Sequence, residues 1–128
     1  DNLQYYADVP EFESIGDIFR NYVQKAPKLT VHSGTHPPGG TLFMWLVAHL
    51  FVYDKLTTSF AIILFAPLAL IPMYLLSEQF YSRKVGLYTL ALYLVTPNLV
   101  MFTATSMDAV FTVFLIWSVY LCSDFDIF

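Results

Sequence analysis

Read for its apolar and polar positions, the chain changes character near residue 40. Before that point charged and apolar residues interleave. After it, long apolar runs are interrupted only by short polar stretches. In the first part Phe12, Ile15, Ile18, Phe19, Tyr22 and Val23 recur at helical spacing, with Glu11, Glu13, Asp17, Arg20 and Asn21 mostly between them. That period predicts an amphipathic helix near 11–24. Pro27 limits it, because proline lacks an amide proton and disfavours helix in the residue before it. Such a helix fits two settings equally well: flat in a lipid headgroup layer, or packed on its own domain.

In the second part, residues 56–77 and 85–107 contain no Asp, Glu, Lys or Arg. A membrane span needs about 20 mostly apolar residues. Spans are therefore predicted over about 56–77 and 85–103. A third is predicted over about 109–123, with Asp124 and Asp126 reaching the far headgroups. Pro67, Pro72 and Pro97 are expected to kink these helices, since neighbouring groups can satisfy the carbonyls that proline leaves free. The run 41–53 differs. As a helix it reaches only about 20 Å, short of the roughly 30 Å hydrocarbon core. It predicts a juxtamembrane helix that starts and ends on one face; a full span using Gly39, Gly40 and the Tyr53–Leu56 turn is the rival. The expected fold is all-α: an external loop over 1–40, then a polytopic membrane region over 41–128.

Composition agrees with a membrane class. The chain is 57% hydrophobic and 12% charged, against about 25% charged residues in ordinary soluble domains. A net charge of −4 without a basic block argues against nucleic acid as a partner. A single cysteine, Cys122, excludes an internal disulfide and a thiolate metal site built by this chain alone. The sequence begins at Asp1 with no basic-then-apolar leader and ends soon after an apolar run. It is expected to be a fragment of a larger membrane protein, inactive without the remaining segments.

Orientation follows from the short stretch 78–84, which holds Arg83 and Lys84. Basic residues in short loops favour the cytoplasmic side. Residues 103–108 then emerge on the external face. If 41–53 does not span, residues 1–55 are external too, and Asp1, Asp8, His36 and Asp108 share one face.

Several of these residues can carry chemistry. Asp108 lies between two apolar segments, where an acid is costly unless it faces water, protein or a ligand. It can also cap the helix that follows, and the two roles are compatible. His36 precedes Pro37-Pro38-Gly39-Gly40. The prolines fix an extended turn, and the glycines let a helix start close to a ligand. A helix N-terminus there offers free amides and a positive dipole end to an anion such as phosphate; the bland reading is a plain turn with an exposed histidine. His49 reads as a packed helix residue. His32 reads as an interfacial polar group; its spacing to His36 only loosely resembles a metal-ligand pair, Ser33-Gly34 argues against a helix between them, and no metal site is assigned. Asp1 and Asp8 are candidate general bases for an acceptor hydroxyl, with solvated loop acids as the plain alternative. Arg20, Lys25 and Lys28 suit an interfacial role beside phosphate headgroups.

These residues together resemble a known family. An acid is followed four residues later by Tyr (Asp1, Tyr5), then by an amphipathic segment. "HPPGG" opens an apolar helix, "YLLSEQFYSRKVGLYTLALYLVTP" carries the basic turn, and "SMDAVFTVFLIWSVYL" closes the run. The chain looks like the N-terminal part of the GT-C membrane glycosyltransferases, in the protein O-mannosyltransferase and aminoarabinose transferase group. The resemblance covers nearly all of the sequence. It implies a polyprenyl-phosphate sugar as donor, transfer to an acceptor hydroxyl on the non-cytoplasmic face, and a multi-pass location in the plasma membrane. It implies Asp1 as the catalytic acid, with Asp8 the next candidate. In that family pattern His36 matches the basic residue that approaches the donor phosphate and Asp108 the acid of the next external loop; with the helix end at Gly39 and Gly40, they are the candidate donor-phosphate-binding residues. No cofactor is certain, and a divalent metal is compatible. The pattern departs from relatives in Asn2, in His36 where a lysine is common, and in Met107 before the acid. A transporter or structural membrane module is the competing class.

Overall fold

A computed structural model describes residues 5–125, with the backbone alone for residues 102–105, 124 and 125. All regular structure in the described residues is helical. The chain forms two compact units, Asp1–Thr58 and Ser59–Phe128.

In the first unit a 3-10 turn, Tyr5–Glu11, leads to α1, Ile15–Lys25. The amphipathic pattern from residue 11 thus becomes helix only from Ile15. The cause is local: Ser14 is extended and its side chain accepts the Asp17 amide, which fixes the first turn. Lys25 binds the Asp17 carboxylate at 2.7 Å and the Glu11 carbonyl at 2.6 Å. A 3-10 turn at Ala26–Lys28, with Pro27 in its first positions, ends the segment.

The next element corrects the sequence reading. Val31–Thr35 is a helical turn, α2, in spite of Ser33-Gly34. Gly34 is what permits it. A Cβ at Gly34 would lie 2.8 Å from the Ala26 carbonyl oxygen, so only glycine lets α2 sit against the preceding turn. α3, Gly39–Leu50, then packs on the Tyr5–Glu11 turn. Trp45 donates its indole N–H to the Phe12 carbonyl at 2.9 Å, tying α3 to the segment before α1.

α4, Lys55–Phe65, starts where Asp54 Oδ2 accepts the amides of Leu56 and Thr57. It continues through a 3-10 turn, Ala66–Ala69, into α5, Leu70–Phe80. The run Lys55–Phe80 is the one helix in the described residues long and apolar enough to cross a membrane. Its 26 residues reach about 39 Å as helix. Pro67 and Pro72 tighten this helix without ending it. Pro72 cannot donate to the Leu68 carbonyl, and Trp117 Nε1 does so instead at 3.2 Å.

In the second unit α6, Arg83–Val95, is capped by Ser82 and packs along α5. A Cβ at Gly86 would meet the Tyr74 ring at 2.9 Å, so glycine sets how closely the two helices approach. Ser77 Oγ reaches Thr89 Oγ1 between them at 3.2 Å. At Pro97 the helix stops rather than kinks. Thr96 is extended and gives its amide to the Tyr93 carbonyl, the one Pro97 cannot reach. α7, Pro97–Thr105, begins afresh there. α8, Asp108–Phe125, packs on α5 and on the 66–69 turn. Ala66, Ala69, Val110 and Val113 are buried, while Leu64, Leu92, Val95 and Leu115 stand exposed. Helices this apolar on their outer surface suit lipid rather than water.

Candidate active site

The mouth of α3 is assembled from the sequence outward. Pro38 occupies the cap position, and no side chain caps the helix. The first amide with a partner one turn back is that of Leu42, on the Pro38 carbonyl. The amides of Gly39, Gly40 and Thr41 are therefore the open end of the helix dipole. Gly39 is exposed and Gly40 buried. A Cβ at Gly40 would stand 2.7 Å from the Tyr5 ring. The second glycine of the motif thus serves the fit of Tyr5 against the helix.

His36 stands exposed just before this helix end. Its Nδ1 lies 3.0 Å from the His32 carbonyl and 3.1 Å from Thr35 Oγ1. A carbonyl only accepts, and the Thr35 hydroxyl already donates to the Val31 carbonyl. Nδ1 therefore carries the proton, and Nε2 is left for a ligand. The rings of Tyr5, His32 and His36 lie 5.9–6.4 Å apart, centre to centre. The α2 turn creates this grouping by bringing His32 onto the side of His36. The described residues contain no group of three or more metal-ligating side chains placed to hold an ion.

Beneath the mouth lies a polar network. Tyr22 of α1 donates toward the Ser33 carbonyl at 3.0 Å and pairs with Thr41 Oγ1 at 3.0 Å. Thr41 and Ser33 are fully buried, and their side chains also meet at 3.3 Å. Burial pushes the Tyr22 phenol above its ordinary pKa, and the bonds to Thr41 and Ser33 partly offset this. The Tyr22 ring stacks on Phe12 at 5.5 Å, with the Lys25 ammonium 4.8 Å from the centre of the Phe12 ring. One tyrosine thus links α1, α2 and α3.

Asp8 has a comparable task. It is 4% exposed. Its Oδ1 accepts the Thr30 amide at 3.0 Å, and its Oδ2 takes the Thr30 hydroxyl. Thr30 is the cap residue of α2, so Asp8 holds the start of the turn that carries His32. Both oxygens of this buried carboxylate are engaged by Thr30.

The remaining sequence candidates are placed differently. Asp1 and Asn2 lie outside the described residues. Asp108 is exposed in the second unit and is the first residue of α8, rather than the cap before it. Ser106 Oγ accepts its amide at 3.1 Å and donates to its Oδ2 at 2.9 Å. His49 bonds the Trp45 carbonyl through Nδ1 and stacks on the Trp45 ring at 3.6 Å. Sequence reasoning missed Tyr22 and Thr41. The available signal was the place of Tyr22 on the inner face of the amphipathic pattern, since a buried tyrosine hydroxyl needs a polar partner.

The described residues thus combine an all-helical fold, one helix long and apolar enough to cross a membrane, and an uncapped helix mouth beside an exposed histidine. The family is specific. The family model for dolichyl-phosphate-mannose-protein mannosyltransferase matches residues 35–125, and the chain belongs to that family. The match begins at Thr35, so it takes in the whole "HPPGG" element and ends in α8. Membership places the chain among membrane glycosyltransferases. No curated protein and no solved structure matches it.

Proposed function

We propose that this chain forms part of an enzyme that moves a sugar from a polyprenyl-phosphate donor to an acceptor hydroxyl on the non-cytoplasmic membrane face. Given the family's description, a mannose on a dolichyl-type phosphate is the first donor to test. The observation that carries the reading is the uncapped mouth of α3, with exposed His36 beside it, inside the matched region. A phosphate there meets the Gly39 and Gly40 end of the helix and the Nε2 of His36.

In the proposed reaction the acceptor oxygen attacks the anomeric carbon and the bond from that carbon to the phosphate oxygen breaks. The lipid phosphate leaves with the electron pair, and a carboxylate takes the acceptor's proton. Charge grows on the phosphate, so donors already aimed at it supply the main electrostatic help. Asp1 is the base of this reading. Asp8, held by Thr30, supports the loop instead. Asp108 is a second candidate on the donor side, where it would favour a partner cation. The further spans over α6–α7 and α8, which make the protein multi-pass, belong to the same proposal.

The test uses the intact protein in lipid nanodiscs with radiolabelled polyprenyl-phosphate mannose, reading release of the lipid phosphate. Wild type should consume the donor. His36→Ala should lose about 100-fold in turnover, the scale of one preorganised donor at a developing charge. Asp1→Asn should lose at least as much, as expected for a general base. Movement of the lipid without loss of its sugar would point to a transporter. Full turnover by His36→Ala would overturn the phosphate assignment.

A further inference from the structure

The two ring nitrogens of His36 have different surroundings. Nδ1 faces two acceptors, the His32 carbonyl at 3.0 Å and Thr35 Oγ1 at 3.1 Å. Thr35 gives its own proton to the Val31 carbonyl at 2.6 Å, so toward His36 its oxygen only accepts. Two acceptors keep a proton on Nδ1 in both charge states of the ring. The proton that the ring gains and loses is therefore the one on Nε2, on the far side of the imidazole. The backbone holds this arrangement. The His36 amide also donates to the His32 carbonyl, at 3.1 Å, so one carbonyl fixes both the main chain and the ring of His36. Beyond it the chain is extended at His36, as the following proline requires. A lysine at this position would offer phosphate a fixed charge. An imidazole offers a charge that it can hand over.

We infer that His36 is the proton donor to the departing lipid phosphate, a role that rests on the proposed function. The Nε2–H of the imidazolium bonds the phosphate oxygen that joins the anomeric carbon. As the carbon–oxygen bond breaks, that oxygen keeps the electron pair and takes the Nε2 proton. The lipid phosphate leaves as its hydrogen-phosphate monoanion rather than as a dianion. His36 is left neutral, with Nδ1 still on the His32 carbonyl. The proton of the acceptor hydroxyl goes to the carboxylate base, and water reloads Nε2 before the next turnover. A positioned proton donor contributes about 10²–10⁴-fold to a rate. The titratable groups around the ring are few. Tyr5, in the first turn, and His32, in α2, have ring centres 6.4 and 6.0 Å away. α3 carries no titratable side chain over residues 39–48. Asp8 is engaged by Thr30, and Tyr22 by Ser33 and Thr41. Among these neighbours only His32 is of a type that titrates near neutral pH, which makes it the control.

The experiment follows turnover at saturating donor, by release of lipid phosphate from radiolabelled polyprenyl-phosphate mannose. The intact protein is assayed in nanodiscs between about pH 6 and about pH 8.5, a window in which ordinary carboxylates stay ionised. His32 and His36 are both exposed, so their replacement removes no packed side chain. Wild type should slow as pH rises, approaching about tenfold per unit, because the fraction of rings with a proton on Nε2 falls. The ammonium of His36→Lys keeps its proton throughout this window. At pH 6 that variant should show a donor KM near the wild-type value and turnover at least about tenfold slower. Its turnover should not fall as pH rises. His32→Gln should keep the wild-type fall. A flat wild-type profile, His36→Lys as fast as wild type at pH 6, or loss of the fall in His32→Gln would each overturn the inference and leave the proposed function standing. Absence of lipid-phosphate release by wild type at every pH would overturn both.

Discussion

The two units solve the problem of buried polar groups in opposite ways. The first brings polar side chains inside and pairs them: Asp8 with Thr30, Tyr22 with Ser33 and Thr41, Trp45 with the Phe12 carbonyl. The second presents apolar side chains outward; its helices share a Ser77–Thr89 pair, and Trp117 answers the Leu68 carbonyl that Pro72 leaves open. The difference is one of solvent. A loop between helices has backbone groups with no regular partners, so side chains must supply them. A helix in lipid satisfies its own backbone and needs help only where proline interrupts it. Paired polar side chains fix atoms in place, and the proposed phosphate site lies in the first kind of region.

The sharpest break of this comparison is Asp8→Ala. It removes the buried carboxylate that both the Thr30 amide and hydroxyl bond, at a cost of about 3 kcal/mol. Hydrogen exchange over residues 30–36 should speed up about 100-fold, while exchange in α6 stays unchanged. Equal loosening in both units would mean that they do not respond separately.

Next in size is Tyr22→Phe, which keeps the ring and removes the hydroxyl. Losing its two bonds should cost about 1–2 kcal/mol, read as a lower thermal midpoint and faster exchange in α2. Trp117→Phe is its counterpart in the second unit. Membrane hydrogen bonds average about 0.6 kcal/mol, so its effect should be smaller than that of Tyr22→Phe. The reverse order would contradict the view that the first unit depends more on side-chain pairing than the second.

The smallest effect is set by pH. The Asp17 carboxyl sits at about 2 in the folded chain, below the roughly 3.9 of an unperturbed aspartate. A depressed folded value means that its stabilising share is complete above about pH 4 and is lost as pH falls toward about 2. Exchange in the first turn of α1 should rise over that window. In Asp17→Asn the same turn should be looser at neutral pH and show no further acid step.

How much of this was legible in the sequence varies residue by residue. The apolar runs give the helices because a membrane-length stretch without charges has few other stable forms. Ser14 and Asp54 act as caps of the kind sequence rules anticipate. Pro97 was read as a kink, but the residue before it turned extended and the helix stopped. α2 was missed because the tolerance for Gly34 comes from the Ala26 carbonyl beside it, eight positions away. Asp8 looked like a possible base by residue type. Its burial against Thr30, more than twenty positions later, could not be seen from local pattern.

The sequence by itself therefore determined an all-helical membrane chain of this glycosyltransferase family with a histidine at the mouth of an apolar helix. Those features rest on composition, period and short motifs, which are local. Only the tertiary structure decided that Asp8 holds Thr30 at the start of α2, that Tyr22 joins α1, α2 and α3, and that Gly40 makes room for Tyr5. These depend on pairs of residues far apart in the chain, whose meeting is set by packing and by the need of every buried polar group for a partner.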